Sequence, residues 1–242
     1  MSGKITMYPV IFQFGFIQIY SYGLMLVFAF WIFVFLLTRQ APALNLTNDF
    51  FWNLSLVILL AGIVSARLAY IALNLRFFLD NPQEVFMLWH GGLIWYGAFL
   101  GGLLSGSIYL KRRKMPLLKT LDLIMPYLAL SQAIGRIGCF LNGCCYGRFF
   151  IPAQLFSSFG LLIIFVILRL LQGRTYRQGF ILACYLIAVS LERFIEEFLR
   201  GDSPRNFGGL TIFQVISIAV FLSGILLWSI ILKSAKKARE SA

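Results

Sequence analysis

The sequence predicts an all-α polytopic membrane protein, a bundle of about seven transmembrane helices with an external arm. Three observations predict this fold class. First, 60% of the 242 residues are hydrophobic, and the mean hydropathy is +0.85. Second, apolar runs of about 20 residues recur, the length that crosses roughly 30 Å of hydrocarbon. Third, basic residues cluster in alternate loops, as cytoplasmic loops require. Residues 1–242 are therefore expected to form a single integral-membrane domain.

Seven apolar runs account for the predicted spans. They are Tyr20–Leu37, Phe50–Leu75, Gly91–Leu110, Leu121–Leu141, Ile151–Leu171, Gly179–Leu199 and Leu210–Leu232. The fourth run is the least regular, because Asp122, Gln132 and Arg136 interrupt it. The first run continues to full spanning length, which does not fit a secretory signal. The polar stretch Leu75–Trp89 predicts an external arm or interfacial helix.

The net charge is +12, and the basic residues lie near the ends of particular apolar runs. Basic residues follow runs three and seven and bound the loop after run five: Lys111, Arg112, Arg113, Lys114, Lys119, Lys233, Lys236, Lys237 and Arg239, with Arg169, Arg174 and Arg177 at the loop. This alternation predicts an external N-terminus and a cytoplasmic C-terminus. It also favours membrane lipids over nucleic acid as the partner of the positive charge.

Unusual polar residues gather at the run ends that this topology turns outward. They include Tyr22, Arg67, Tyr70, Tyr96, Arg136, Asn142, Arg193, Glu197 and Arg200. Five separate runs contribute to this set, so we expect one shared polar cavity in the outer half of the bilayer. For Arg67 alone, extension of the side chain to the membrane interface is an equally good explanation.

The segment from Gly135 to Gly147 is the most informative part of the chain. It combines Arg136, Asn142 and several glycines at the end of an apolar run. Irregular polar backbone survives at membrane depth only where it faces protein or a wet cavity. A guanidinium grips phosphate through two parallel N–H bonds, and glycines let a ligand approach the backbone. Arg136 is therefore predicted to contact the phosphate of a lipid headgroup.

The sixth run carries a second candidate group. Arg193 and Glu197 are four residues apart and share a helical face, and Arg200 lies one turn further along. An ordinary ion pair at a helix end is the simpler interpretation, but ionisable residues inside a span are functional candidates. Glu197 would orient Arg193, accept a proton, or do both.

The remaining reactive residues give weaker signals. His90 is the single histidine, which excludes a multi-histidine metal cluster. Three explanations are open for the group Cys139, Cys144 and Cys145: a metal site, a disulfide, or close packing at a helix end. Their C-x4-C-C spacing matches no zinc pattern, so packing is favoured and no metal site is predicted.

Several ordered motifs resemble the prolipoprotein diacylglyceryl transferases of bacterial inner membranes. Residues 135–148, GRIGCFLNGCCYGR, are similar to that family's signature, approximately G-R-x-G-N-F-x-N-G-E-x-x-G-R. The segments YGLM from Tyr22, ARLAY ending at Tyr70 and RFIEEFLR from Arg193 resemble three further family motifs, and Gln214 matches a fourth. The resemblance covers nearly the whole chain.

The resemblance implies transfer of the diacylglyceryl group of phosphatidylglycerol to the lipobox cysteine of prolipoproteins, the first step of bacterial lipoprotein maturation. It implies a multi-pass protein of the inner membrane with its active site toward the periplasmic leaflet, and no metal or redox cofactor. Arg136, Tyr96, Arg193 and Glu197 would be catalytic. Tyr22, Arg67, Tyr70, Arg136, Asn142, Gly147 and Arg200 would bind substrate.

Three positions depart from the family pattern. Tyr96 replaces a histidine, Cys139 replaces an asparagine and Cys144 replaces a glutamate. A phenol is a poor base at neutral pH, so Tyr96 is expected to steer the acceptor thiol or to be an interfacial aromatic. Two alternatives therefore stay open. One is a family paralogue that transfers a lipid group to another acceptor, and the other is a non-enzymatic phospholipid- or anion-binding membrane protein.

Overall fold

The computed structural model describes residues 10–14, 17–44, 46–87, 92–145, 147, 152–172, 177–201 and 208–240. A short antiparallel hairpin comes first, made of β1 (Val10–Phe14) and β2 (Ile17–Tyr20). The hairpin is a small addition to the predicted all-α fold. Its segment is rich in β-branched and aromatic residues and is shorter than the windows by which membrane helices are predicted.

Eight α-helices follow within the described residues. They are α1 (Ser21–Thr38), α2 (Asn48–Leu73), α3 (Leu75–Asp80), α4 (Trp95–Arg112), α5 (Leu117–Asn142), α6 (Ala153–Gln172), α7 (Phe180–Leu199) and α8 (Ile212–Glu240), with 3-10 turns at Ala41–Leu44 and Pro82–Phe86. Seven of these helices are long, and each overlaps one of the seven apolar runs. The short α3 and the second 3-10 turn occupy the stretch predicted as the external arm.

Within the described ranges, five helices are long and apolar enough to cross a membrane. These segments are Ser21–Thr38, Asp49–Leu73, Leu117–Asn142, Ala153–Gln172 and Ile212–Ser234. The prediction of a helical, polytopic membrane protein is therefore confirmed. The other two long helices are more polar, because α7 carries four charged residues and α4 carries four glycines and a basic end. Their crossing of the membrane stays a prediction.

Large apolar side chains cover the outer faces of the helices. Val27, Leu170 and Leu226 are each more than half exposed, at 62%, 70% and 61%. In water, so many exposed apolar side chains would be unfavourable, whereas hydrocarbon solvates them. The outward faces therefore fit a lipid environment.

The chain divides into two compact units, and the first described here is Thr38–Leu117. In this unit α2 packs closely on α4 because α4 presents glycines at the contact. A Cβ at Gly97 would lie 2.6 Å from the Ser65 carbonyl oxygen, and one at Gly101 would lie 2.0 Å from the Ser65 hydroxyl. Small residues at four-residue spacing allow such close approach of membrane helices.

The second unit comprises Met1–Leu37 and Leu118–Ala242. Glycines again set the helix contacts in this unit. A Cβ at Gly138 of α5 would lie 2.9 Å from Met25 Cβ of α1, and one at Gly224 of α8 would lie 2.9 Å from Ile187 Cγ1 of α7. The expectation of one domain over residues 1–242 stays a prediction.

Asp122, which interrupts the fourth apolar run, has a structural role. Its two carboxylate oxygens accept hydrogen bonds from the backbone N–H groups of Gly179 at 2.6 Å and Leu182 at 2.8 Å. These donors lie at the N-terminus of α7, where backbone N–H groups lack helical partners. Asp122 of α5 therefore caps α7 and fixes the start of the helix that carries Arg193 and Glu197.

Candidate functional site

An alternating chain of arginines and glutamates joins α5 to the end of α7. Arg136 Nη2 donates to Glu196 Oε2 at 2.9 Å, and Arg193 donates to the same oxygen. Arg193 Nη2 also lies 3.0 Å from Glu197 Oε2, and Arg200 Nε lies 4.0 Å from that oxygen. The order of this ion-pair chain is Arg136, Glu196, Arg193, Glu197 and Arg200.

The two carboxylates are buried, whereas the arginines are partly accessible. The side chains of Glu196 and Glu197 are both 0% exposed, and those of Arg136 and Arg193 are 19% exposed. Burying a carboxylate is costly unless cations compensate it. The ion-pair chain places three guanidinium groups beside two buried carboxylates. Because the arginine side chains are partly accessible, their guanidinium groups suit contact with an anion.

The aromatic ring of Phe213 in α8 lies close to the guanidinium groups of two of these arginines. The guanidinium carbon of Arg193 lies 4.9 Å from the Phe213 ring centroid, and that of Arg200 lies 5.9 Å from it. Cations within about 6 Å of a ring face are attracted by its quadrupole. The ring thus helps to hold both side chains in place.

A capping box fixes the helix start that carries Phe213. The Thr211 backbone N–H donates to Gln214 Oε1 at 3.0 Å, and the Gln214 backbone N–H donates to Thr211 Oγ1 at 3.3 Å. This reciprocal pair is the T-x-x-Q arrangement of a helix N-terminus. Gln214, noted in the sequence for its family motif, therefore has a clear local role.

The C-terminus of α5 ends in a Schellman turn, which begins the signature loop (residues 143–145 and 147 of the signature). The Cys144 N–H bonds the Cys139 carbonyl, the Gly143 N–H bonds the Phe140 carbonyl, and Gly143 has φ +75°. These two bonds and the left-handed glycine define the motif. Asn142, a predicted substrate contact, is the last residue of the helix before this turn.

Two further contacts hold the loop. The buried side chain of Gln154 in α6 donates from Nε2 to the Cys144 carbonyl at 2.6 Å. Gly147 pairs with Arg200 in an isolated antiparallel bridge. The signature loop is thereby attached to the residue that ends the ion-pair chain.

The loop brings three thiols together. The Sγ atoms of Cys139, Cys144 and Cys145 all lie within 4.8 Å of one another. The Cys139 thiol donates a hydrogen bond to the Cys145 sulfur, and Arg200 and Arg136 add favourable charge. These interactions lower the pKa of Cys145 to about 6, although burial opposes the shift. The sequence favoured packing for these cysteines, because their spacing alone does not reveal the turn that gathers them.

Arg67 occupies a different local environment, in the unit Thr38–Leu117. Its guanidinium is buried and donates to the backbone carbonyls of Glu84, Val85, Met87 and Gly92. It also lies 5.2 Å from the Phe78 ring centroid and 5.7 Å from that of Tyr70. Arg67 thus points into the following loop and does not extend to the surface, as a terminal arginine often does. Substrate binding by Arg67 and Tyr70 stays a prediction.

The remaining predicted residues are placed as follows. Tyr22 of α1 lies beside Gly138, its Cδ2 being 3.4 Å from the point where a Cβ would sit. Tyr22 is therefore next to the part of α5 that carries Arg136 and Cys139. Tyr96 is the second residue of α4, and its side chain lies outside the described part of the chain. Its catalytic role stays a prediction.

Three contributors to this site, Glu196, Phe213 and Gln154, were not among the predicted site residues. Glu196 and Phe213 contact predicted residues, and Gln154 contacts Cys144. For Glu196 a signal was present, because it lies three residues after Arg193 on the same helix. No local pattern indicated Phe213 or Gln154, since each acts across a contact between helices.

Comparison of the sequence with known proteins shows which family the chain resembles. The family model described as prolipoprotein diacylglyceryl transferase matches residues 9–230. The phosphatidylglycerol–prolipoprotein diacylglyceryl transferase of Clostridium tetani is 34% identical over 245 residues, covering 93% of this chain and 98% of the relative. A second such enzyme of Clostridium perfringens is 30% identical, with 93% and 96% covered. The enzyme of Parasynechococcus marenigrum is 33% identical, with 91% and 92% covered.

Two of the motifs that resemble the family, residues 135–148 and RFIEEFLR from Arg193, contain the members of the ion-pair chain and of the signature loop. The family match extends over nearly all of the chain, and two of these relatives exceed 30% identity with almost complete coverage. The chain belongs to the prolipoprotein diacylglyceryl transferase family.

Proposed function

We propose that this protein transfers the diacylglyceryl group of phosphatidylglycerol to the lipobox cysteine of prolipoproteins. The observation that carries the proposal is the ion-pair chain from Arg136 to Arg200, whose members lie in two segments that resemble family motifs and whose arginine side chains are partly accessible. Phosphatidylglycerol is an anion with a phosphate at the membrane surface. An array of partly accessible guanidinium groups has the charge and shape to bind it.

The proposed reaction exchanges one bond at a glycerol carbon for another. The acceptor cysteine thiolate attacks the diacylglycerol carbon that carries the phosphate ester. The carbon–sulfur bond forms as the carbon–oxygen bond breaks, and the bond electrons leave with glycerol 1-phosphate. The thiol proton is lost to a base before or during the attack. Negative charge grows on the departing phosphate, so fixed positive groups beside it lower the barrier.

Arg136 is proposed as the principal phosphate ligand. It ends the ion-pair chain on α5, and Glu196 is its one ion-pair partner among the described residues. Its other guanidinium edge therefore suits a bidentate phosphate contact. Arg193 and Arg200 are proposed to assist. Glu197 is ion-paired to both of them, which favours an orienting role over proton abstraction.

The proposed topology has seven spans, with the N-terminus outside and the C-terminus in the cytoplasm of the bacterial cell. The basic residues that end α4 and follow α8's apolar part support this orientation. The ion-pair chain then belongs to the periplasmic side of the inner membrane. Tyr22, Asn142 and Gly147 are proposed to line the substrate site near Arg136, and Arg67, Tyr70 and Tyr96 remain candidates.

The direct test is a transfer assay with purified protein. Phosphatidylglycerol labelled in its acyl chains is incubated with a lipobox peptide, and the peptide mass is measured. We expect a mass increase of one diacylglyceryl group on the cysteine, release of glycerol phosphate, and neither product with a cysteine-to-serine peptide. Release of glycerol phosphate without peptide modification would indicate another acceptor. Binding of phosphatidylglycerol with no bond cleavage would indicate a lipid-binding protein.

A further inference from the structure

The three clustered thiols form a possible ligand set that the proposed transfer reaction does not use. Cys139, Cys144 and Cys145 are all free and only partly exposed. Each offers one sulfur, and every pair of sulfurs is separated by at most 4.8 Å. Three sulfurs around one zinc ion, with Zn–S bonds of about 2.3 Å in tetrahedral geometry, are separated by about 3.8 Å. If the sulfur–sulfur distances shortened by about 1 Å or less, the three sulfurs would have the spacing of zinc ligands.

The fold itself produces this cluster. The Schellman turn places its first and last residues, Cys139 and Cys144, side by side, and Cys144 Sγ lies 3.6 Å from the Cys139 carbonyl oxygen. Cys145 then adopts φ +60°, which returns its side chain to the other two. A non-glycine residue in this conformation is uncommon and carries strain, which is often found at functional sites. Gln154 holds the same loop from α6.

We propose that Cys139, Cys144 and Cys145 bind one thiophilic metal ion of the zinc class. Three thiolates select soft or borderline cations such as Zn²⁺, Cd²⁺ or Cu⁺ over Mg²⁺ and Ca²⁺, which prefer oxygen ligands. The three protein sulfurs supply three tetrahedral positions. A small ligand such as water or an external thiol takes the fourth position, as in zinc sites that keep one position open.

The surrounding charges favour such a complex. One Zn²⁺ bound by three thiolates carries a net charge of −1, because three negative charges exceed two positive ones. Arg136 and Arg200 are both near enough to interact electrostatically with Cys145. Arg136 also precedes Cys139 by three residues, so the two side chains share a face of α5. These guanidinium groups stabilise a negatively charged metal–thiolate centre.

Cobalt binding tests the site directly, and it does not depend on the transferase activity. Co²⁺ is added to the reduced, detergent-purified full-length protein, and absorbance is recorded. We expect near-ultraviolet sulfur-to-cobalt charge-transfer bands and visible bands of tetrahedral cobalt, saturating at one ion per chain. One equivalent of Zn²⁺ should abolish them. Cys139→Ser, Cys144→Ser and Cys145→Ser should each lower the affinity by 10-fold or more.

Cys184 supplies the matched control. It is the fourth free cysteine and lies in α7. Cys184→Ser should leave the cobalt spectrum and affinity unchanged. Absence of the bands in the wild-type protein, or their persistence when all three clustered cysteines are serine, would overturn the proposal.

A protection experiment on the wild-type chain covers the case in which a serine variant fails to fold. Cysteines are alkylated with and without Zn²⁺, and the modified residues are identified by mass spectrometry. We expect Zn²⁺ to slow alkylation of Cys139, Cys144 and Cys145 by at least 10-fold relative to Cys184. Equal alkylation of the three cysteines with and without Zn²⁺ would exclude the site.

Discussion

At the residue scale, Arg136 is the sharpest test of the phosphate contact. Arg136→Lys keeps the charge but removes the planar pair of donors, so we expect turnover of phosphatidylglycerol to fall about 10- to 100-fold. Arg136→Ala should lose at least as much. Chromatographic elution and helical content should stay as in the wild type. Near-normal turnover of the lysine variant would show that a point charge is sufficient.

Glu196 is the second residue to test, because two arginines share one of its oxygens. Glu196→Gln keeps the shape but removes the charge that orients Arg136 and Arg193. We expect turnover to fall at least 10-fold and thermal stability to fall, since removing one partner of a buried ion pair is destabilising. Lys119→Gln, at an exposed position of α5, is the matched control. An active and equally stable Glu196→Gln variant would contradict the positioning role.

Cys145 should show an unusual pH dependence of its reactivity. A pKa lowered from 9.0 to about 6 means that the thiolate, which is the reactive form, already predominates at neutral pH. In the metal-free protein, the alkylation rate should rise with a midpoint near pH 6 and be level above neutral pH. Mass spectrometry of iodoacetamide-treated protein across a pH series measures this rate. A midpoint between pH 8 and 9 would show that Cys139 and the two arginines do not stabilise the thiolate.

Candidate site residues could be predicted from the sequence where a polar side chain interrupts an apolar run. Arg136, Arg193, Glu197 and Arg200 were selected for this reason, and the structure joins all four. The bond between Arg136 and Glu196 spans 60 residues and depends on the rotation of α7 against α5. No local sequence pattern encodes that rotation. The sequence alone therefore does not show that Arg136 pairs with Glu196 and not with Glu197.

At the element scale, the packing of α2 against α4 depends on glycine. In Gly97→Ala the new Cβ would lie 2.6 Å from the Ser65 carbonyl oxygen and 3.0 Å from Ala66 Cα, which are backbone atoms that cannot move aside. We expect a melting temperature lower by about 4 °C, because overpacking outweighs the gain in helix propensity. Thermal unfolding in detergent measures this change.

Gly102→Ala is the control for that experiment on the same helix. Its Cβ would meet Ile58 Cγ2 at 3.3 Å, and this flexible side chain can shift. We expect its melting temperature to lie within about 1 °C of the wild type. Equal destabilisation of both variants would mean that the helix contact does not distinguish the two glycines.

The positions of the long helices could be predicted from hydropathy. The hairpin and the contacts of Asp122 could not be predicted in this way. The seven long helices coincide with the seven runs because helix length and apolar composition are local properties. The hairpin of β1 and β2 was not predicted because each strand is only four or five residues long. Asp122 appeared to weaken its run, although its contacts with Gly179 and Leu182 strengthen the neighbouring helix.

At the scale of the whole molecule, the proposed orientation is open to a direct test. An epitope tag inserted after Lys114 should face the cytoplasm, and one inserted between Gly208 and Gly209 should face outward. In intact spheroplasts, antibody should bind only the second tag, and after permeabilisation it should bind both. Detection of both tags on one side would overturn the topology and the periplasmic assignment of the ion-pair chain.

The environment of Arg67 has a consequence for how the chain is made. Its partners, from Glu84 to Gly92, lie 17 to 25 residues further along the chain, so they leave the ribosome after it. In the proposed orientation, a newly inserted α2 therefore carries a cation without these partners in its outer half, which insertion machinery tolerates at a cost of up to about 3 kcal/mol. Synthesis of the following segment removes that cost. In the nascent chain, the hydrogen bonds of Arg67 therefore form only after both α2 and the segment up to Gly92 have been synthesised.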